Sequence, residues 1–239
     1  MAQITFERYE KKYLLDRDQY GALRALLGGR MREDAYGRYT ICNLYYDTPD
    51  YRLIRASLEG PVYKEKLRLR SYGVPDGGSP VFLELKKKFM GVVYKRRAPL
   101  TLDGARAYLS SGERPGGKNQ ILDEIDWFLR FYRPEPRVFI GYDRVALSGV
   151  EDPELRMTFD TGLRWRDTAL DLAGGDWGAP LSTGGRVLME LKIPEAVPLW
   201  LSHLLDRVEA RPVSFSKYGA CYRRHLALKT TWHGGKSCA

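Results

Sequence analysis

Charged and apolar residues alternate along one segment after another, and this limits the chain to β-structure with two unlike faces. Lys66, Arg68 and Arg70 interleave with Leu67 and Leu69; Glu84, Lys86 and Lys88 follow at the same interval, with Val81, Leu83 and Leu85 opposite. Glu190 and Lys192 sit between Met189, Leu191 and Ile193, and Arg8, Glu10 and Lys12 share one side near the N-terminus. Side chains of a strand point alternately to its two faces. Each charged set therefore faces one way, and the apolar set opposite packs on something else. A barrel with a polar, cationic interior has this pattern. Several converging cationic rows call for an anion with many charges.

Parity assigns Arg8, Lys12, Lys66, Arg68, Arg70, Lys86, Lys88, Lys95, Arg144, Arg156 and Lys192 inward, together with Glu10, Glu84, Asp160 and Glu190. Eleven cations against four carboxylates would place most of the formal net charge of +9 on one lining. Burying a single unpaired charge costs several kcal/mol, so such a lining is wet and holds counter-anions, which it also concentrates. A two-layer sheet with one solvated face shows the same alternation. The lumen is favoured by the mixing of Glu with Lys and Arg at two-residue spacing, and by amphipathic helices available to cover the apolar face.

The chain of 239 residues suits one large β-rich domain or two small ones, and 44% hydrophobic content supports a sizeable core. Strands are predicted at 3–14, 38–47, 62–73, 80–89, 92–99, 137–147, 154–160 and 187–193. A helix after Asp16 begins with a capping-box pattern and ends at Gly28-Gly29. Further helices are predicted at 50–57, 101–110, 118–131, 196–208 and 216–228, with a Gly-rich loop at 173–185 and a frayed tail from 229. Short connections favour antiparallel pairing. The fold class expected is α+β, an eight-stranded antiparallel β-barrel with helices packed outside, spanning 1–228.

Cys42, Cys221 and Cys238 are far apart and odd in number, with no zinc spacing and no disulfide framework, so a reducing cytoplasm is expected. No apolar run reaches about 18 residues, and no signal peptide is evident. Among the carboxylates, Glu190 lies in an otherwise apolar strand two residues from Lys192. A carboxylate among cations is either an ion-pair partner or a ligand for a hard divalent cation that bridges to phosphate oxygens. Tyr9, Tyr13, Tyr45, Tyr46 and Tyr72 have the spacing of base-stacking residues but fit packed positions better, so nucleic acid is not the expected partner.

The pieces Phe6-Glu7-Arg8-Tyr9-Glu10-Lys11-Lys12-Tyr13, Leu44-Tyr45-Tyr46-Asp47-Thr48, Lys66-Leu67-Arg68-Leu69-Arg70-Ser71-Tyr72-Gly73 and Glu84-Leu85-Lys86 occur in order. Tyr142-Asp143-Arg144, Arg156 to Asp160, Glu190-Leu191-Lys192 and Ser214-Phe215-Ser216-Lys217-Tyr218 follow. In that order, from about residue 6 to 225, the chain resembles the triphosphate tunnel metalloenzymes (the CYTH-like superfamily), and within them the VTC domain of polyphosphate polymerases. The resemblance implies an antiparallel tunnel in which the γ-phosphoryl group of ATP passes to a growing polyphosphate, with Mn²⁺ or Mg²⁺. It implies Lys12, Arg68, Arg70, Lys86, Arg144 and Lys217 as catalytic phosphate ligands. Arg8, Lys66, Lys95, Tyr142, Arg156, Lys192 and Ser216 are implied as substrate contacts, and Glu190 and Glu10 as metal ligands.

Two positions depart from the family pattern. The wider superfamily opens with Glu-x-Glu-x-Lys, whereas this sequence has Arg8, Glu10 and Lys12, closer to the polymerase branch; Ser214 stands where a lysine is expected. The sequence carries neither the SPX domain nor the membrane helices of eukaryotic relatives, so the resemblance is to a bacterial-type stand-alone domain with, at most, a membrane protein as partner. A tunnel triphosphatase, with water oriented by Glu10 or Glu84, and a non-catalytic polyphosphate-binding module are the competing readings.

Overall fold

The computed structural model describes residues 9–90, 92–117, 119–193 and 196–227. Among them the order of elements is β1 (Tyr9–Leu15), α1 (Arg17–Leu26), β2 (Met31–Asp47), α2 (Arg52–Leu58), β3 (Tyr63–Tyr72), β4 (Pro80–Phe89) and β5 (Val92–Thr101). Then come α3 (Leu102–Ser111), α4 (Gln120–Tyr132), β6 (Glu135–Gly149), β7 (Arg156–Arg166), β8 (Ala179–Pro180), β9 (Val187–Ile193), α5 (Leu199–Arg207) and α6 (Lys217–Cys221). The expected α+β class holds. One large sheet runs β1-β9-β7-β6-β2-β3-β4-β5, with β8 paired to β7, and the β1–β9, β7–β9, β2–β3, β3–β4 and β4–β5 registers are antiparallel.

This path has two ends, β1 and β5, and among the described residues no pairing joins them. The expected closure into an eight-stranded barrel is therefore not what the pairing gives. Alternation identifies which residues share a face; it carries no information on whether the first and last strands meet. The terminal strand β5 also has the marks of a sheet edge: Pro99, which lacks an N–H donor, and the run Lys95-Arg96-Arg97.

The chain divides into two compact units. Unit 1 comprises Met1–Thr40, Tyr142–Leu163 and Pro180–Phe215; unit 2 comprises Ile41–Gly141, Arg164–Ala179 and Ser216–Ala239. In unit 1, α1 and α5 contribute Leu23, Leu201 and Leu205 to a core with Tyr13, Leu15, Met157, Phe159, Met189 and Leu191. The predicted capping box forms: Gln19 N–H donates to Asp16 Oδ1 at 2.8 Å, and Asp16 N–H donates back to Gln19 Oε1 at 3.0 Å.

In unit 2, α3 and α4 cover β3, β4 and β5. Ala105, Tyr108, Leu122, Ile125 and Phe128 meet Leu67, Leu69, Val81, Leu83, Leu85 and Ala98. Each fully buried Leu, Ile or Phe contributes roughly 1.5–3 kcal/mol of transfer free energy. Asn119 caps α4 by accepting from Ile121 N–H at 2.9 Å. Gly112 closes α3 in a left-handed conformation (φ 75°).

Some boundaries differ from expectation. β2 starts at Met31 rather than 38; residues 32–37 are mostly exposed and show no alternation of buried and exposed positions, so the extension left no signal in the sequence. β7 continues to Arg166. That buried arginine holds the Gly-rich stretch: its Nη1 donates to the Trp177 carbonyl at 2.7 Å, and its Nη2 to the Asp171 carbonyl at 2.9 Å. Gly178 passes so close to Trp165 that a Cβ would lie 2.6 Å from its carbonyl oxygen. The predicted tail from 229, like Arg8 and residues 3–8 of the first strand, lies outside the described residues. In each unit, most of the described parity-assigned charges alternate along their strands with residues of the core.

Candidate functional site

In unit 2 the register lines charged residues up across strands. Lys66 on β3 pairs with Lys86 on β4, and Lys86 with Lys95 on β5; the next row is Arg68, Glu84 and Arg97. Glu84 is 1% exposed. It accepts from Arg68 Nε, Lys95 Nζ and Arg97 Nε, each at 2.7 Å, and Arg70 Nε lies 3.9 Å away. Burial works to raise the Glu84 carboxyl, but Arg68, Arg70 and Lys95 outweigh it and hold it well below the usual carboxylate range. Lys95 moves the other way. Desolvation by the crowded neighbours brings its ammonium down to about 8 despite Glu84, although 42% of the side chain stays exposed, and Arg68 and Arg97 push in the same direction.

Two neighbours fix the guanidinium groups. Arg70 Nε donates to Asn43 Oδ1 at 2.9 Å, while Asn43 Nδ2 donates to the Ile140 carbonyl at 3.0 Å. Arg68 Nη1 reaches the Tyr45 hydroxyl at 3.3 Å, and the Tyr45 ring stacks on Tyr218 with centroids 4.8 Å apart. Lys66 Nζ donates to Ser216 Oγ at 3.3 Å, and Ser216 Oγ accepts from Gly219 N–H at the start of α6. Lys217 follows, half-buried. Tyr218 donates to Asp47 Oδ2 at 2.8 Å; Asp47, fully buried, also accepts from the N–H groups of Thr48, Leu53 and Ile54. Asp47 thus joins the Leu44–Thr48 motif to the Ser214–Tyr218 motif.

Unit 1 has a different charge balance. Its rows are Glu10, Lys192 and Arg156, then Lys12, Glu190 and Thr158, running across β1, β9 and β7. Lys12 Nζ lies 3.1 Å from Glu10 and 3.8 Å from Glu190, and donates to the Phe215 carbonyl at 3.0 Å. Arg144 grips the fully buried Asp160 through Nε at 2.6 Å and Nη2 at 2.7 Å; the same Nη2 is 3.4 Å from Glu190. Its guanidinium carbon stands 5.2 Å from the centroid of the buried Tyr142 ring. Among the described residues, unit 2 therefore gathers Lys66, Arg68, Arg70, Lys86, Lys95 and Arg97 on the face that carries Glu84. Unit 1 sets Lys12, Arg144, Arg156 and Lys192 against Glu10, Asp160 and Glu190.

The VTC domain family profile matches residues 7–225. The chain belongs to the VTC-domain family. This VTC-domain protein is similar in fold to a candidate adenylate cyclase from Bacillus halodurans: TM-score 0.56, 14% identity, 88% of this chain and 95% of that one. It is also similar to a candidate adenylyl cyclase from Hippeastrum with a dominant triphosphatase activity, at TM-score 0.52 and 18% identity over 90% and 94% of the two chains. No curated protein sequence matches it. The ordered motifs that resembled the tunnel metalloenzymes and their VTC branch thus identified the family.

Within the VTC-domain protein, register and side-chain contacts bring Lys66, Arg68, Arg70, Lys86, Lys95 and Ser216 together in unit 2, and Glu10, Lys12, Tyr142, Arg144, Arg156, Glu190 and Lys192 in unit 1, while Lys217 is placed by its position at the start of α6. Sequence reasoning missed Arg97, although it lies two residues after Lys95 on the same face. It also missed Asn43, an uncharged side chain that gives no signal of its role under Arg70. A hard divalent cation suits the donors of unit 1. Glu190 (12% exposed) and Glu10 (31%) supply carboxylate oxygens, whereas Asp160 is taken up by Arg144. Among the described residues, no three His, Cys, Asp or Glu side chains come together.

Proposed function

We propose that this VTC-domain protein is a metal-dependent phosphotransferase: a polyphosphate polymerase that moves the γ-phosphoryl group of ATP onto the end of a growing polyphosphate. The observation that carries the reading is the row Lys66, Lys86 and Lys95, three ammonium groups across three adjacent strands, flanked by Arg68, Arg70 and Arg97. Cations gathered in this way on one face attract and concentrate an anion with many charges.

In this reading the unit 2 cations grip successive phosphates along the charged face of β3, β4 and β5. Glu84 keeps the guanidinium groups pre-oriented, so little reorganisation is needed as charge develops on the transferring group. Within unit 1, Lys12, Arg144, Arg156 and Lys192 are phosphate ligands in their own right. Glu190 and Glu10 hold Mn²⁺ or Mg²⁺, which supplies charge neutralisation between phosphate oxygens. Lys217 and Ser216 add phosphate contacts in unit 2, and Tyr142 adds one in unit 1. ATP and polyphosphate are the expected partners, and nucleic acid is not. No helix among the described residues is long and apolar enough to cross a membrane.

The test is incubation with ATP and Mn²⁺, with and without a short polyphosphate primer, followed by gel separation of products. Long-chain polymer is expected, and Glu190→Gln is expected to abolish it while the protein remains folded. Orthophosphate without polymer at any primer concentration would replace this reading with a tunnel triphosphatase, the activity dominant in the Hippeastrum protein of similar fold.

A further inference from the structure

The Glu190 row contains one side chain with no role so far. Thr158 on β7 is in register with Glu190, which is in register with Lys12. Residues paired across antiparallel strands project to the same face, with Cβ atoms roughly 4.5–5.5 Å apart. Thr158 also shares its face with Arg156 and Asp160, two residues away on either side. Its side chain is buried, at 9% exposure. Its Oγ1 is shielded and has no hydrogen-bond partner among the described residues.

Other threonines of unit 1 behave differently: Thr40 Oγ1 donates to Asp143 at 3.0 Å, and Thr161 Oγ1 accepts from Arg38 at 3.5 Å. A buried hydroxyl without a partner lowers stability, and valine would fill the same space without that cost. What distinguishes position 158 is its surroundings. Lys12, Arg144, Arg156 and Lys192 belong to the same group of side chains and draw an anion to this face. A hydroxyl there supplies a neutral donor beside the carboxylate assigned to the metal.

We propose that Thr158 is a further phosphate ligand, its hydroxyl donating to a phosphate oxygen of the bound chain next to Glu190. The assignment rests on the phosphate-handling reading above. Hydrogen-bond donation to a charged oxygen is among the stronger kinds, so losing it weakens binding by about tenfold.

The experiment compares wild type, Thr158→Val and Thr158→Ser. Thermal unfolding is measured without ligand, and tripolyphosphate affinity is measured by calorimetry with and without Mn²⁺. Thr158→Val is expected to unfold at the same or a higher temperature than wild type, yet to bind tripolyphosphate about tenfold more weakly. Thr158→Ser is expected to restore affinity. Binding of Thr158→Val within twofold of a normally binding wild type would overturn the Thr158 assignment alone. A lower unfolding temperature in the absence of ligand would also overturn it, because the hydroxyl would then have a partner within the fold. A wild type that binds no tripolyphosphate would overturn the phosphate-handling reading and this assignment with it.

Discussion

Replacing Glu84 with glutamine removes one negative charge from the centre of four cations. Arg68, Lys95 and Arg97 donate to this carboxylate at 2.7 Å, and Arg70 stands at 3.9 Å. Glutamine keeps the shape but leaves mutually repelling cations at a site only 1% exposed. Removing one partner of a buried pair costs about 3–5 kcal/mol. For a chain of this size each kcal/mol lowers the midpoint by about 2–4 °C, so Glu84→Gln should melt about 6–20 °C lower. The carboxyl is depressed in the folded state, so its contribution is complete above the unfolded carboxyl value near about 4.3 and is lost as pH falls further. The gap between variant and wild type should therefore stay flat from pH 5 to about pH 8 and narrow in acid. Tripolyphosphate supplies the missing charge, so the variant should gain more from saturating ligand than wild type does. Circular dichroism melts at several pH values, with and without ligand, measure all three quantities. A variant melting within about 2 °C of wild type would show that Glu84 does not hold the cations together.

Two further outcomes follow from the same geometry. With its ammonium value brought down to about 8, Lys95 loses its proton in mild alkali. Tripolyphosphate affinity in wild type should fall about fivefold between pH 7 and pH 9, whereas Lys95→Arg, which stays charged, should show a shallower fall; identical pH profiles would contradict this. Because the unfolded lysine holds its proton to about 10.4, the Lys95 contribution should make folding stability rise with pH across that window. Tyr218→Phe removes the donor to the buried Asp47 and should lower stability by about 1.5–3 kcal/mol; an unchanged urea midpoint would refute the link between the two motifs.

Much of this was legible in sequence because strand parity is a two-state signal. Once Leu67 and Leu69 are placed in the core, Lys66, Arg68 and Arg70 have only one face left. The helices announced themselves by the same logic at period 3.6, through Leu122, Ile125 and Phe128, and by the Asp16–Gln19 cap. What parity cannot carry is pairing between distant strands. It gave neither the open strand path ending at β5 nor the Arg68–Glu84–Arg97 row, which exists only through register. It also misses roles that depend on one contact. Asn43 under Arg70 and Arg166 on three loop carbonyls look like ordinary polar residues until their partners are in place.

The distribution of acids bears on the choice between phosphoryl transfer to water and transfer to another phosphate. Attack by water needs a group that accepts its proton. Glu84 is a poor acceptor, since surrounding cations hold its carboxyl so far below the usual range. Asp160 is committed on both oxygens to Arg144. Among the acids of the two groups, that leaves Glu10 and Glu190, the pair whose oxygens suit a metal, and both stand within 4 Å of Lys12 Nζ. A terminal phosphate of a polyphosphate chain arrives already anionic and needs no acceptor; it needs cations to hold it in line. The residues supply positioning in abundance and proton acceptance sparingly, and the proposed transfer to another phosphate rests on that asymmetry.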